Sequence, residues 1–204
     1  MKMRALLLSL LCLLSPFALA DQAHHGFTLD DHLLDTGQKA AFAGAPFVSV
    51  AEQLDIVEAS GLPPEILAFF KKTRIIVDPS VRGNPGIFDV RNGEPAVRIQ
   101  PIVFPANKPI VLHELMHAYH LAVLTLKNPD ILRAFDAASR PGKYPQAYQR
   151  AHFLQNEKEF FAVTSTIYLF GKIQQPPFDC AILSKDDPAY LDFLEKTFGR
   201  HECH

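Results

Sequence analysis

Apolar positions along this chain come in short bursts broken by proline and glycine, and no stretch repeats another. The first burst, Ala5 to Leu14, is continuous rather than periodic, follows Lys2 and Arg4, and is succeeded by the small-x-small triplet Ala18-Leu19-Ala20. That is the pattern of a signal segment, 1–20, removed by cleavage after Ala20. It is shorter than the roughly 20 apolar residues a bilayer span needs. Leu11 before Cys12 is not the small residue a lipoprotein signal requires, so lipidation is not expected. The segment from Asp21 to Pro46 is weakly periodic. Ser49 then reads as the N-cap of a helix from Val50 to Ser60 stopped by Gly61, and Pro63-Pro64 opens a second helix ending near Lys72. Two helices are thus expected before the first strand, Arg74 to Val77. Ile87–Val90 and Ala96–Ile102 flank Asn92-Gly93 in the manner of a hairpin. Asn107 is a candidate N-cap for a helix running from Lys108 to about Leu126 and carrying apolar residues on all sides, which places it in the interior.

These elements suit one domain, 21–204, of α+β class with a small sheet, long enough to enclose a substantial core. Charge narrows the partners. Without Lys2 and Arg4 the 20 basic residues fall to 18 against 22 acidic ones, a net charge of about −4. No basic stripe with interleaved aromatics is present, so nucleic acid and stable membrane insertion are not expected, and a protein or peptide partner is. The oligomeric state is not legible. An exported, periplasmic or secreted chain meets an oxidising compartment, where the two cysteines beyond the leader, Cys180 and Cys203, are expected to pair. That bond would close a loop of about two dozen residues and contribute roughly 3 kcal/mol.

The chemistry concentrates in the interior helix, at Val111-Leu112-His113-Glu114-Leu115-Met116-His117-Ala118-Tyr119-His120. Residues four apart on a helix lie one above the other, so the imidazoles of His113 and His117 can converge on one ion. Buried polar groups are costly without partners, and a single Zn2+ satisfies them together. Glu114, rotated about 100° from His113, stands off the metal but beside the position a water would take, the place of a general base. A catalytic zinc takes a third protein ligand. His120 is too far from His113 for both to hold one ion on a continuous helix, about 10.5 Å along the axis, and suits a packing or supporting role. Val123 stands where a metzincin would place its last histidine, which excludes that pattern. No glutamate occurs between Ala118 and Asn156. Asp136, about twenty residues downstream, is therefore one candidate, and Glu157 and Glu159, about 200° apart on a helix, are the others. His24, His25 and His32 read as exposed side chains able to take up stray metal.

The HExxH segment and the later stretch Asn156-Glu157-Lys158-Glu159-Phe160-Phe161-Ala162 together resemble zincin metallopeptidases of the gluzincin type, in particular the catalytic domain of anthrax lethal factor and related bacterial zinc-dependent peptidases. The resemblance covers 109–120 and 156–171. It implies a zincin-like domain in which Glu159, on a helix after the HExxH helix, is the third ligand beside His113 and His117. Where that family often carries a second acid four places later, this chain has Val163. Where lethal-factor-like enzymes place an oxyanion-stabilising tyrosine, it has His152, with Tyr148 one turn earlier as the alternative. The implied activity is hydrolysis of peptide bonds with one Zn2+ and Glu114 as base. Substrate would lie against an edge strand, expected at Ala96–Ile102.

Overall fold

The computed structural model describes residues 22–201. The expected signal segment and Cys203 lie outside the described residues. The described residues open with a hairpin, β1 (Gln22–His24) and β2 (Phe27–Asp30), turned through His25 and Gly26 in left-handed backbone conformations. Three helices follow: α1 (Thr36–Phe42), α2 (Ala45–Glu58) and α3 (Pro64–Lys72). Next come β3 (Ile75–Val77), β4 (Gly86–Arg91) and β5 (Glu94–Ile99), then α4 (Ile110–Tyr119), which continues as a π-helical segment His120–Leu124. The rest is helical: α5 (Pro129–Ala138), short turns at Gln146–Tyr148 and His152–Leu154, α6 (Glu157–Phe170), α7 (Cys180–Asp186) and α8 (Pro188–Phe198). The fold is therefore α+β with a small sheet.

The five strands lie in the order β1-β2-β3-β5-β4, parallel across β2, β3 and β5 and antiparallel in the two terminal hairpins. Asn92 and Gly93, both at positive φ, turn the β4–β5 hairpin as the sequence predicts. β5 is interior, so the expected edge at Ala96–Ile102 is corrected: four of its six residues, Ala96 to Ile99, are buried, and the edge on that side of the sheet is β4.

Helix α4 lies between this sheet and α6, also touching α2 and α3. Val111, Leu112, Leu115 and Met116 are fully buried. α6 is buried from Phe160 through Leu169, which is why its apolar residues show no single face. Among the described residues no single helix is long and apolar enough to cross a membrane.

Two expected helix caps change for one reason, a polar side chain reaching across the fold. Ser49 is not an N-cap but an interior residue of α2, whose hydroxyl donates to the carbonyl of Phe104 at 3.2 Å and accepts from its N–H at 2.7 Å. Asn107 does not cap α4. Pro109 holds the N-cap position, and the Oε1 of Gln53 accepts from the N–H groups of Ile110 at 2.8 Å and Val111 at 3.3 Å. A side chain of α2 thus satisfies donors that a helix start leaves orphaned. Two strands and three helices precede β3, where two helices alone are expected, because the hairpin and α1 are held by Phe27, Leu29 and Phe42 in the core rather than by a periodic pattern.

Candidate metal centre

Three elements build the site. α4 turns His113 and His117 to one side, one helical turn apart, and their Nε2 atoms lie 3.1 Å from each other. α6 contributes Glu159 from its first turn. Asn156 caps that helix, its Oδ1 accepting from the N–H groups of Lys158 and Glu159, both at 3.0 Å. A glutamate at this position often folds back on the cap residue. Here its carboxylate faces the histidines, with Oε2 at 3.3 Å from both His113 Nε2 and His117 Nε2.

Three donor atoms therefore form a triangle with edges of 3.1, 3.3 and 3.3 Å. Ligand bonds of about 2.0–2.1 Å arranged tetrahedrally imply donor separations of roughly 3.3 Å, so the triangle has the size of one face of a zinc coordination shell. The orientation agrees. Glu159 Oε2 is buried, close to three imidazoles, and makes no aligned hydrogen bond to any of them. A buried carboxylate oxygen with no hydrogen-bond partner beside two imidazoles leaves room for a shared cation. The set, two imidazoles and a carboxylate, suits zinc.

Burial alone would raise the pKa of Glu159, but the imidazoles of His113, His117 and His152 outweigh it and hold the carboxyl well below the usual carboxylate range. His152 lies in the turn before α6, its Nε2 2.7 Å from Glu159 Oε2 and its ring 5.7 Å from that of His113. That carboxylate raises the pKa of His152 against the opposing effect of burial.

Glu114, largely buried, points off the triangle. Its Oε2 accepts a 2.7 Å hydrogen bond from the main-chain N–H of Phe88 on β4. Gly86 makes room for it: a β-carbon there would lie 3.2 Å from Glu114 Cγ and 3.0 Å from Ile110 Cγ2. Two cavities flank this carboxylate, of about 380 and 400 Å3, and His113, His152 and Gly86 line both. Ile87, Val90 and Leu121, partly exposed apolar residues, line the second.

The structure thus brings together His113, Glu114, His117, His152 and Glu159. Tyr148 is elsewhere, its ring 5.5 Å from that of Phe178 and lining neither cavity. Asp136 is exposed on α5 and outside the cluster, and Glu157 does not join the triangle. His120 is fully buried against Phe161 with no partner for either ring nitrogen. Sequence reasoning missed Gln53, Gly86 and the Phe88 N–H. The Asn156 cap had a signal, an asparagine before two acidic residues and an apolar run. The other three act across the fold, and nothing local announces them.

No protein-family model matches the chain, and no curated protein matches it either. Among solved structures, it superposes on the Pro-Pro endopeptidase from Paenibacillus alvei with a TM-score of 0.45 and 17% identity, over 84% of this chain and 97% of that one. A likeness of that depth says nothing about chemistry.

Proposed function

We propose that the chain is an exported zinc-dependent peptidase. The observation that carries the reading is the three-atom triangle of His113, His117 and Glu159 with the carboxylate of Glu114 held beside it by β4. These three residues would hold the ion. When bound, zinc supplies a Lewis acid that acidifies water and polarises a carbonyl oxygen. Glu114 accepts the proton of the attacking water and passes it to the leaving amine, so it ends the cycle ionised as it began. The N–H of His152 donates to the oxygen that becomes negative as the carbonyl turns tetrahedral. Tyr148 would serve that role only after moving from Phe178. An extended substrate lies along the free edge of β4, whose apolar Ile87 and Val90 line the groove.

A zinc-binding module without activity is the alternative, in which Glu114 would serve only to tie α4 to β4 through the Phe88 N–H. Hydrolysis of a non-peptide amide uses the same residues and is separated by substrate screening. Export, through the segment 1–20, and pairing of Cys180 with Cys203 belong to this reading, and N-terminal sequencing and non-reducing peptide mapping test them. The central experiment compares zinc content and peptide cleavage in the wild-type chain, Glu114→Gln and Glu159→Ala. Glu114→Gln is expected to keep its zinc and lose cleavage by 100-fold or more, at the scale of roughly 10²–10⁴ for a general base. Glu159→Ala should lose zinc. Cleavage that survives Glu114→Gln sinks the base, and equal zinc in all three chains removes Glu159 from the ligand set.

A further inference from the structure

A second group of metal-binding side chains lies far from α4 in the sequence, where the N-terminal hairpin meets α2. His24 ends β1, His25 begins the turn, and Asp55 faces them from α2. Both imidazoles aim Nε2 at one carboxylate oxygen: Asp55 Oδ1 is 2.6 Å from His24 Nε2 and 2.9 Å from His25 Nε2. Three ligand atoms, one from each residue, lie within 4.8 Å of one another.

Adjacent residues on a strand normally send their side chains to opposite faces. Here the left-handed turn at His25, φ 50°, ends that alternation and brings its ring to the side of His24, with ring centroids 4.3 Å apart. Two imidazoles that close repel if both are protonated. As neutral groups they can donate Nε2–H to Asp55, and in the other tautomer the same two nitrogens offer lone pairs to a cation whose ligand set the carboxylate would complete. Imidazole and carboxylate suit a borderline divalent ion rather than calcium or magnesium, whose ligands are oxygens.

We propose that His24, His25 and Asp55 form a second, solvent-accessible site for a divalent transition ion such as zinc, which ties the N-terminal hairpin to α2. The site is independent of the peptidase reading. All three side chains are at least a quarter exposed, so water completes the shell and the residues can shift by the few tenths of an ångström that replacing hydrogen bonds with metal bonds requires. Its role is mechanical. β1 pairs with β2 alone, and so short a hairpin has little stability of its own.

The test uses the purified chain stripped with chelator and titrated with zinc by calorimetry. The expected result is two ions per chain, with His24→Ala/His25→Ala binding one and His113→Ala/His117→Ala also binding one. In the second variant, zinc should slow hydrogen exchange at the β1–β2 amides by at least tenfold, an effect lost when His24 and His25 are also replaced. One ion in the wild-type chain and one in His24→Ala/His25→Ala overturns the proposal. So does hairpin binding weaker than about 10 µM without the exchange effect, which marks uptake by exposed imidazoles only. Failure of the peptidase reading shows separately, as loss of the zinc that His113 and His117 hold.

Discussion

At the scale of single residues, His120 shows what an unpartnered buried imidazole costs. Its pKa is lowered from 6.5 to about 4, chiefly by burial and secondarily by the nearby charges of His117 and Lys158. The unfolded chain takes up this proton near pH 6.5, while the folded chain refuses it until about pH 4, so the unfolded state binds more protons across that window. Stability therefore falls as pH drops from 6.5 towards 4, by roughly 3 kcal/mol in all. His120→Leu, measured by urea unfolding of the metal-free chain at pH 7 and pH 4.5, should remove most of that decline. An unchanged decline would assign the acid sensitivity to other groups. Gly86 is the second case. Gly86→Ala drives a methyl group against Ile110 and Glu114, and overpacking of this kind costs about 1–3 kcal/mol. Because one of the crowded atoms belongs to Glu114, cleavage measured well below the melting temperature should fall even where the chain remains folded.

At the scale of elements, α4 depends on α2 for its beginning. Gln53→Ala leaves the N–H groups of Ile110 and Val111 without their acceptor in a buried setting, at a cost of about 1–2 kcal/mol. Asn107→Ala, at the position the sequence suggests for the cap, should change stability by no more than about 0.5 kcal/mol. Thermal melts of the two variants side by side decide between the caps. The contrast explains what was legible. α3 begins at Pro64 and ends at Lys72 as read, because proline and the loss of periodicity are local signals. The Asn92-Gly93 hairpin is local too. The start of α2 was misplaced because Ser49 is a good cap in isolation, and its real partners, the main-chain groups of Phe104, are 55 residues away. The status of β5 was missed for the same reason: whether a strand is central depends on β3, which no pattern within β5 records.

For the whole molecule, the candidate site was more legible than the fold around it. The spacing of His113 and His117 is set by helix geometry, and the sequence carries it entire. Glu159 came from a resemblance rather than from spacing, and the structure brings it within 3.3 Å of both histidines. Sequence leaves Tyr148 and His152 as alternatives; His152 Nε2 lies 2.7 Å from Glu159 Oε2, whereas the ring of Tyr148 packs against Phe178. If the proposed zinc joins these two helices, stability should also depend on it. At a thousandfold excess over its dissociation constant a ligand stabilises by about 4 kcal/mol, and for a chain of this size that is on the order of 10 °C in Tm. Chelation should lower Tm by about that much, and Glu159→Ala should lose most of the response to added zinc.

The bond from Phe88 to Glu114 has one more consequence for the edge of β4. An extended chain laid along that edge finds a ladder with one rung already spoken for, since the N–H that should greet its carbonyl is turned towards a carboxylate. The incoming carbonyl at that register is left unclaimed by the sheet. In the proposed reaction it can change from planar to tetrahedral without tearing out a rung, beside the carboxylate of Glu114.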